Sequence, residues 1–489
     1  MTLTKHTRLI PIIIGLVAFA YYALLSSKSF SWLFVSGDSG DWLGASIDWF
    51  VPQPLGSPLF ILLGHFLNLL PGDLVLKMTL LLSCLPSAIT VVLVYLITKR
   101  LTDKIGISII ASLVLLGGTI FMTQSTVLEQ YALSVMFVIL AFYLYLLDKK
   151  YWTAIVLALG MCTHIVIVVI AFLWLVVERK SWRNWVKPLA VFVPITMAFY
   201  SLIPILMWME ATPYIAGYLN WQSYSTYNTA TANVIIGNVS VFDLPEQLAL
   251  AVAMIVASIG LAIVPITYAM KKPIGRPMWI MAITIIFAMW YHVTNLDRST
   301  WTFMSFGLPF MCVMAGVGLS YLPKMHTQLV TGSACLLILF NGVFLNANLL
   351  ADDYPEAKQT LAYYQEMPQD SVIVVNRGHY SLCIYYARAL GRTDLIPFIY
   401  LVPEGELWPD YNSWMKENYG AKGNTTIEWI HNYIDDGHTV YMAGQEWQFR
   451  STHTKFWPHY IGNFTMIEQE YPWIWKLGKM GNWTLDDEY

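Results

Sequence analysis

Apolar blocks of about twenty residues, the length that crosses a bilayer core, recur through most of the chain and are separated by short polar loops. They run Leu9 to Ser26, Leu74 to Ile97, Ile105 to Met122, Tyr131 to Leu147, Pro188 to Trp208, Leu248 to Met270, Pro277 to Val293, Thr302 to Leu322 and Val330 to Leu350. One further run, Tyr151 to Val177, has basic residues at both ends, so it crosses twice or not at all. It is short for two full spans at about 1.5 Å per residue. Two partial helices meeting near Gly160 to His164 satisfy both constraints if neighbouring helices bury the turn. The pattern therefore predicts a mainly α, polytopic membrane protein of about 11 transmembrane helices.

After Leu350 the periodicity changes. Ser371 to Val375 and Thr439 to Met442 alternate as strands do, and Ala357 to Glu366 and Ser381 to Leu390 read as helices. Residues 351–489 are predicted to form a small mixed α/β ectodomain beside a membrane domain of residues 1–350. There is no internal repeat and no low-complexity tract.

Composition agrees with this reading: 57% of residues are hydrophobic and only 12% charged, against about a quarter charged in soluble domains. The charges also orient the chain. Lys5/Arg8, Lys99/Arg100/Lys104, Lys149/Lys150, Arg179/Lys180/Arg183/Lys187, Lys271/Lys272/Arg276 and Lys324 belong in the cytoplasm by the positive-inside rule. The N-terminus is then cytoplasmic and the C-terminal domain extracytoplasmic. No small-residue cleavage site follows the first block, so a retained helix is expected there. The sequons at Asn238, Asn424, Asn463 and Asn482 all fall outside. Cys84, Cys162, Cys312 and Cys335 lie in apolar blocks and only Cys383 in polar sequence, which offers neither a disulfide framework nor a CxxC pattern.

The same topology gathers polar residues on the outer side. Gly37-Asp38-Ser39-Gly40-Asp41-Trp42 follows the first block, and Pro52-Gln53-Pro54-Leu55-Gly56-Ser57-Pro58-Leu59 re-enters apolar sequence. Glu129 precedes Tyr131, His164 sits at the turn of the broken pair, Asn295, Asp297 and Arg298 lie in one loop, and Lys77 opens the second long span. Each has a plain structural use as well. Asp38 or Ser39 suits the cap of a helix starting near Asp41, and Asp48 suits its polar face. Glu129 suits a solvated loop and His164 a hydrogen-bonded core position, while Arg298 and Lys77 suit interfacial anchors. Their combination on one side predicts an outward-facing site. No dinucleotide fingerprint, phosphate loop, HExxH, nucleophile elbow or zinc spacing accompanies it. An enzyme working outside without nucleotide needs a membrane-borne activated substrate.

The ordered motifs resemble the GT-C superfamily of membrane glycosyltransferases, and within it the protein O-mannosyltransferase-like family. Its GDSGEF, HPPGYPL, LLG and following arginine appear here as Gly37 to Trp42, Pro52 to Leu59, Leu62-Leu63-Gly64 and Lys77. Gln124-Ser125 through Glu129-Gln130-Tyr131, Leu157 to Gly160 with Thr163-His164, and Asn295-Leu296-Asp297 ahead of Pro309 continue the match. Asp41 stands for the usual Glu and Gln53 for the His, so an acid-base role for that histidine is unavailable.

The resemblance implies inverting transfer of a sugar, mannose or another hexose, from a polyprenyl-phosphate-linked donor to an acceptor hydroxyl. A protein Ser/Thr is the first expectation and a lipid or cell-surface glycan the alternative. Asp38 or Asp41 is the expected base, with Arg298, Lys77 and His164 on the phosphate and Glu129, Tyr131, Gln53, Asn295 and Asp297 lining the pocket. No tightly bound cofactor, no metal site and no nucleic-acid partner is expected. A transporter or flippase without group transfer is the reading from another class; inverted repeats would mark it.

Overall fold

The computed structural model describes residues 5–26, 39–48, 57–210, 244–271, 275–294, 298–343, 364–375, 391–392, 394–399, 426–443, 464–471 and 474–479. Two compact units emerge. One comprises Met1–Ser36, Leu55–Pro204 and Thr226–Asp353, and the other Gly37–Pro54, Ile205–Ser225 and Tyr354–Tyr489.

The first unit is helical. Helix α1 spans Lys5–Leu25, and the second unit contributes α2, Ser39–Asp48. Helix α3 is Pro58–Asn68; α4 (Leu74–Met78), a π-helical turn (Thr79–Cys84) and α5 (Leu85–Thr102) then form one continuous run. There follow α6 (Ile105–Leu116), α7 (Thr119–Thr126), α8 (Tyr131–Leu146), α9 (Lys150–Met161), α10 (Ile167–Val177) and α11 (Arg183–Glu210). Beyond these lie α12 (Leu244–Ile259), α13 (Ile263–Met270), α14 (Arg276–Thr294), a 3₁₀ helix (Arg298–Phe306), α15 (Leu308–Leu319) and α16 (Lys324–Phe340).

Among the described residues, four helical runs are long and apolar enough to cross a membrane: Leu74–Thr102, Arg183–Leu202, Pro245–Met270 and Lys324–Val343. Shorter apolar helices surround them. The core is α15, buried at every position from Leu308 to Leu319, as a helix that is apolar all round must be. Its close neighbours require small residues: a Cβ on Gly318 would stand 1.8 Å from the Pro265 carbonyl oxygen of α13, and one on Gly316 2.6 Å from Thr98 Cγ2 of α5. The outward faces of α1 and α16 stay apolar, with Leu16 and Leu24 and with Leu336 and Leu339 exposed. That suits contact with lipid rather than water.

One run breaks as expected, and two expected spans differ. The run Tyr151 to Val177 is the broken pair α9 and α10, and its turn falls at 162–166. The block Ile105 to Met122, read as one helix, is also broken: α6 and α7 meet at 65° across Gly117-Gly118. The cause is local. Helix α16 crosses so near that a Cβ on Gly117 would lie 3.0 Å from the Ile338 backbone nitrogen. The freed backbone groups are satisfied by side chains, because Asn341 Nδ2 donates to the Gly117 carbonyl at 2.6 Å and the Ile120 N–H donates to Ser258 Oγ at 3.3 Å. Thr119 Oγ1 also donates to the Ala257 carbonyl at 2.9 Å. The block Thr302 to Leu322 likewise begins as 3₁₀ helix and becomes α-helical only at Leu308.

In the second unit, β1 (Val372–Val375), β2 (Ile396–Ile399), β3 (Val440–Ala443), β4 (Phe464–Tyr471) and β5 (Ile474–Lys479) form one sheet in the order β2-β1-β3-β5-β4. β1 pairs in parallel with β2 and β3, opposing Val372 to Ile396 and to Val440, and β5 runs antiparallel to β3 and β4. Helix α17, Thr426–Asp435, leads into β3. Arg392 binds Asp394 through two hydrogen bonds of 2.8 and 2.7 Å and donates to the carbonyls of Tyr364 and Met367, both at 2.9 Å. The helix candidate Ser381 to Leu390, and Ala357 to Tyr363 of the other, lie outside the described residues.

Candidate active site

Helix lengths set the level of the polar residues in the first unit. Counted from the basic end at Lys104, the twelve residues of α6 rise about 18 Å. The sixteen residues of α8 rise about 24 Å above Lys149, and α9 and α10, with twelve and eleven residues, rise about 17–18 Å. Glu129, Tyr131 and His164 sit at the far ends of these helices. Three separate stretches of sequence thus end on the side away from the basic clusters.

The contacts there are specific. Ser57 occupies the N-cap position of α3 with Pro58 behind it, yet makes no cap bond; its hydroxyl donates to Gln130 Oε1 instead. The Leu59 N–H donates to the Cys162 carbonyl at 2.9 Å. The segment that follows the Pro/Gly pattern is therefore stitched both to the start of α8 and to the turn between α9 and α10. Ser134 and Thr163 share a hydrogen bond of 2.8 Å, closing the same three elements from the other side. Ser83, in the π-helical turn, holds Glu129 by its backbone, giving its hydroxyl to the carbonyl at 3.3 Å and accepting from the N–H at 3.4 Å. Such turns inside α-helices recur at functional sites.

Three aromatic rings enclose His164. Tyr131 stands 5.2 Å from it, Phe303 5.3 Å and Phe306 5.8 Å, the two phenylalanines edge-to-face. The Val166 N–H donates to His164 Nδ1 at 3.2 Å. A backbone N–H can only donate, so Nδ1 accepts, and the neutral ring carries its proton on Nε2. His164 is thereby a fixed donor inside an aromatic box. Glu129 and Gln130, which directly precede Tyr131, are also buried, at 2% and 4% exposure.

Helix α7 is unusually polar for a buried element. The hydroxyls of Thr123, Ser125 and Thr126 bond back to carbonyls of their own helix. Gln124 is fully buried, and both its amide atoms lack a hydrogen-bond partner among the described residues.

The structure thus brings Tyr131 and His164 into ring contact, with Glu129 two residues before Tyr131 and held by Ser83. Lys77 lies in α4, six residues before Ser83, and its ammonium donates to the Leu70 carbonyl. Asp41 lies in α2, which begins at Ser39, and Arg298 opens the 3₁₀ helix that carries Phe303 and Phe306; the side chains of Asp41 and Arg298 are outside the described set. Asp38, Gln53, Asn295 and Asp297 lie outside the described residues. Ser57, Ser83, Ser134 and Thr163 were not singled out as site residues from sequence, though each is a hydroxyl beside an apolar run, four residues or fewer from a helix end or a motif residue.

Residues 38–186, the stretch that contains this cluster, match the family model of the protein O-mannosyl-transferase TMEM260 N-terminal domain. The fold is that of ArnT from Cupriavidus metallidurans. Its apo structure superposes with a TM-score of 0.63 at 11% identity, covering 97% of this chain and 98% of that one. The structure bound to undecaprenyl phosphate superposes at 0.60, with the same identity and coverage. No curated protein sequence matches the chain.

Proposed function

We propose that this chain, with a TMEM260-type domain over residues 38–186 and the ArnT fold, is a GT-C glycosyltransferase that takes its sugar from a polyprenyl-phosphate donor. The acceptor is a hydroxyl, first of a protein Ser or Thr, on the outer face of the membrane. The observation that carries the proposal is the buried Tyr131–His164 contact with Glu129 just before it, surrounded by the Ser57–Gln130, Ser83–Glu129 and Ser134–Thr163 hydrogen bonds, inside the matched region. ArnT's complex with undecaprenyl phosphate supports a lipid-linked donor for a chain of the same fold.

In the proposed reaction the acceptor oxygen attacks the anomeric carbon and the bond from that carbon to the phosphate oxygen breaks. The electron pair leaves with the lipid phosphate, and configuration inverts. Asp38 accepts the acceptor's proton, with Asp41 as the second candidate; general-base help of this kind is worth about 10²–10⁴-fold. The leaving phosphate gains charge and needs donors already in place. His164, with its proton held on Nε2, fits that task, alongside Arg298 and Lys77. Glu129 and Tyr131, with Gln53, Asn295 and Asp297, shape the pocket.

The test is transfer from a labelled polyprenyl-phosphate mannose by the full chain in detergent. Asp38→Asn and Asp41→Asn should abolish it in a folded protein, and mass measurement of the product identifies the acceptor. Full activity in both variants would refute the assignment.

A further inference from the structure

At the basic end of the first unit, away from His164, lies a second feature. Residues of α8, α9, α10, α11 and α14 line a narrow, partly open pocket with a cavity volume of about 30 Å³. Leu157, Trp174, Trp185, Leu189 and Phe192 make up most of its wall. The one carboxyl at its edge, Glu178, is fully engaged. Tyr145 donates to Oε1 at 2.7 Å, Arg276 Nη1 to Oε2 at 3.1 Å, and Ser181 also donates to Oε2. Trp174 Nε1 is likewise occupied, donating to Thr284 Oγ1 at 2.9 Å. A guest in this pocket meets mostly hydrocarbon and aromatic faces, with Trp185 Nε1 the one lining polar atom that has no hydrogen-bond partner among the described residues, so it must be largely apolar.

The rim has the opposite chemistry. The segment that carries Glu178 and Trp185 on its inner side exposes Arg179, Lys180, Arg183 and Lys187 on its outer side. Trp182 among them is 56% exposed, in the manner of an interfacial anchor. Four exposed cations on the segment that also supplies Glu178, Trp185 and Leu189 to an apolar pocket match a ligand with a hydrocarbon chain and a negative headgroup. Basic pockets between membrane helices take anionic lipids for this reason. The sugar-transfer cluster stands about 17–18 Å away along α9 and α10, which separates this pocket from the proposed donor site.

We propose that the pocket and its rim bind an anionic phospholipid of the surrounding membrane, with one acyl chain between α9, α10 and α11 and the phosphate on Arg179, Lys180 and Arg183. The lipid would fill the bundle at the end opposite the chemistry and fix α11 against α10.

Native mass spectrometry of the full chain, titrated with phosphatidylglycerol or with phosphatidylcholine of the same chains, tests the proposal. At about 1 kcal/mol per surface cation, reduced by salt, phosphatidylglycerol should bind at least about tenfold tighter. Arg179→Gln/Lys180→Gln/Arg183→Gln, all on exposed positions, should bring the two lipids to near parity. Leu157→Trp should weaken retention of both by filling the wall, and Leu189→Phe serves if that variant does not fold. Equal binding of the two lipids by the parent chain, or an unchanged preference in the triple variant, would overturn the proposal. So would displacement of phosphatidylglycerol by equimolar polyprenyl phosphate.

Discussion

Replacing Gln124 by Leu should make the protein more stable and less active. The side chain is fully buried in α7, and neither amide atom has a partner among the described residues. A buried polar group left unsatisfied costs about 1–3 kcal/mol in mutational series. Within membrane helices measured hydrogen-bond energies average nearer 0.6 kcal/mol, because the unfolded state also finds partners. Leucine has a similar volume and removes the penalty without opening a cavity, so a gain of about 1–2 kcal/mol is expected. For a large domain that is a rise of about 2–8 °C in Tm. Ser125→Ala provides the contrast: its hydroxyl already bonds the Phe121 carbonyl, so its removal should shift Tm little. If the free amide serves a hydroxyl of donor or acceptor, kcat/KM should fall at least about tenfold in Gln124→Leu, the equivalent of about 1.4 kcal/mol. Thermal unfolding in nanodiscs, followed by intrinsic tryptophan fluorescence, reads the first effect, and the labelled-donor assay reads the second. A Leu variant clearly less stable than the parent would refute the reasoning, since it would mean the amide is held by the fold.

Other substitutions test the packing and the network. Gly318→Ala should abolish the α13–α15 contact, because its Cβ would overlap the Pro265 backbone; a loss of at least about 3 kcal/mol, well beyond ordinary overpacking, should appear as loss of folded protein in size-exclusion profiles. Thr163→Val removes the buried 2.8 Å bond to Ser134 and should lower stability by about 1–2 kcal/mol, read as a drop in Tm. In the second unit, the hydrogen bonds from Arg392 hold the Asp394 carboxyl down at about 2. An acid whose folded value lies below its unfolded value of about 3.9 stabilises fully above that pH and loses the contribution as pH falls toward 2. Amide exchange in Val372–Val375 should therefore accelerate in acid, and Asp394→Asn should flatten that limb.

The hairpins of this fold were legible where two signals coincided. Apolar runs bounded by Lys149/Lys150 and by Arg179/Lys180 were enough to place a reversal between α9 and α10 and to put His164 at it. The break at Gly117-Gly118 was missed because Ile120, Phe121 and Met122 continue the apolar run across it. Only the Gly-Gly pair followed by Thr119 marked it, and what decided the matter was Asn341, more than two hundred residues on. The π-helical turn at Thr79–Cys84 leaves no trace in periodicity, so the role of Ser83 had to await the backbone. The motif spacing put Glu129, Tyr131 and His164 at helix ends, and the ring contact between Tyr131 and His164 lies there. The partners of the adjoining Gln130 and Ser134, Ser57 and Thr163, come from sequence over a hundred residues apart.

The shortness of α6, α9 and α10 has a consequence for the lipid around them. Helices that start at a charged interface and rise only about 17–18 Å end well inside a hydrocarbon core of about 30 Å. With the basic clusters at one interface, as the proposed topology has it, His164 and α7 would lie below the opposite headgroup plane of an ordinary bilayer. A phosphate brought to that depth must leave its hydration shell, or the bilayer must dimple to meet it. Since thinning a membrane costs only a fraction of a kcal/mol per Å, bilayer thickness would become a variable of the proposed reaction, and shorter-chain lipids are the ones in which the proposed site would lie nearest to water.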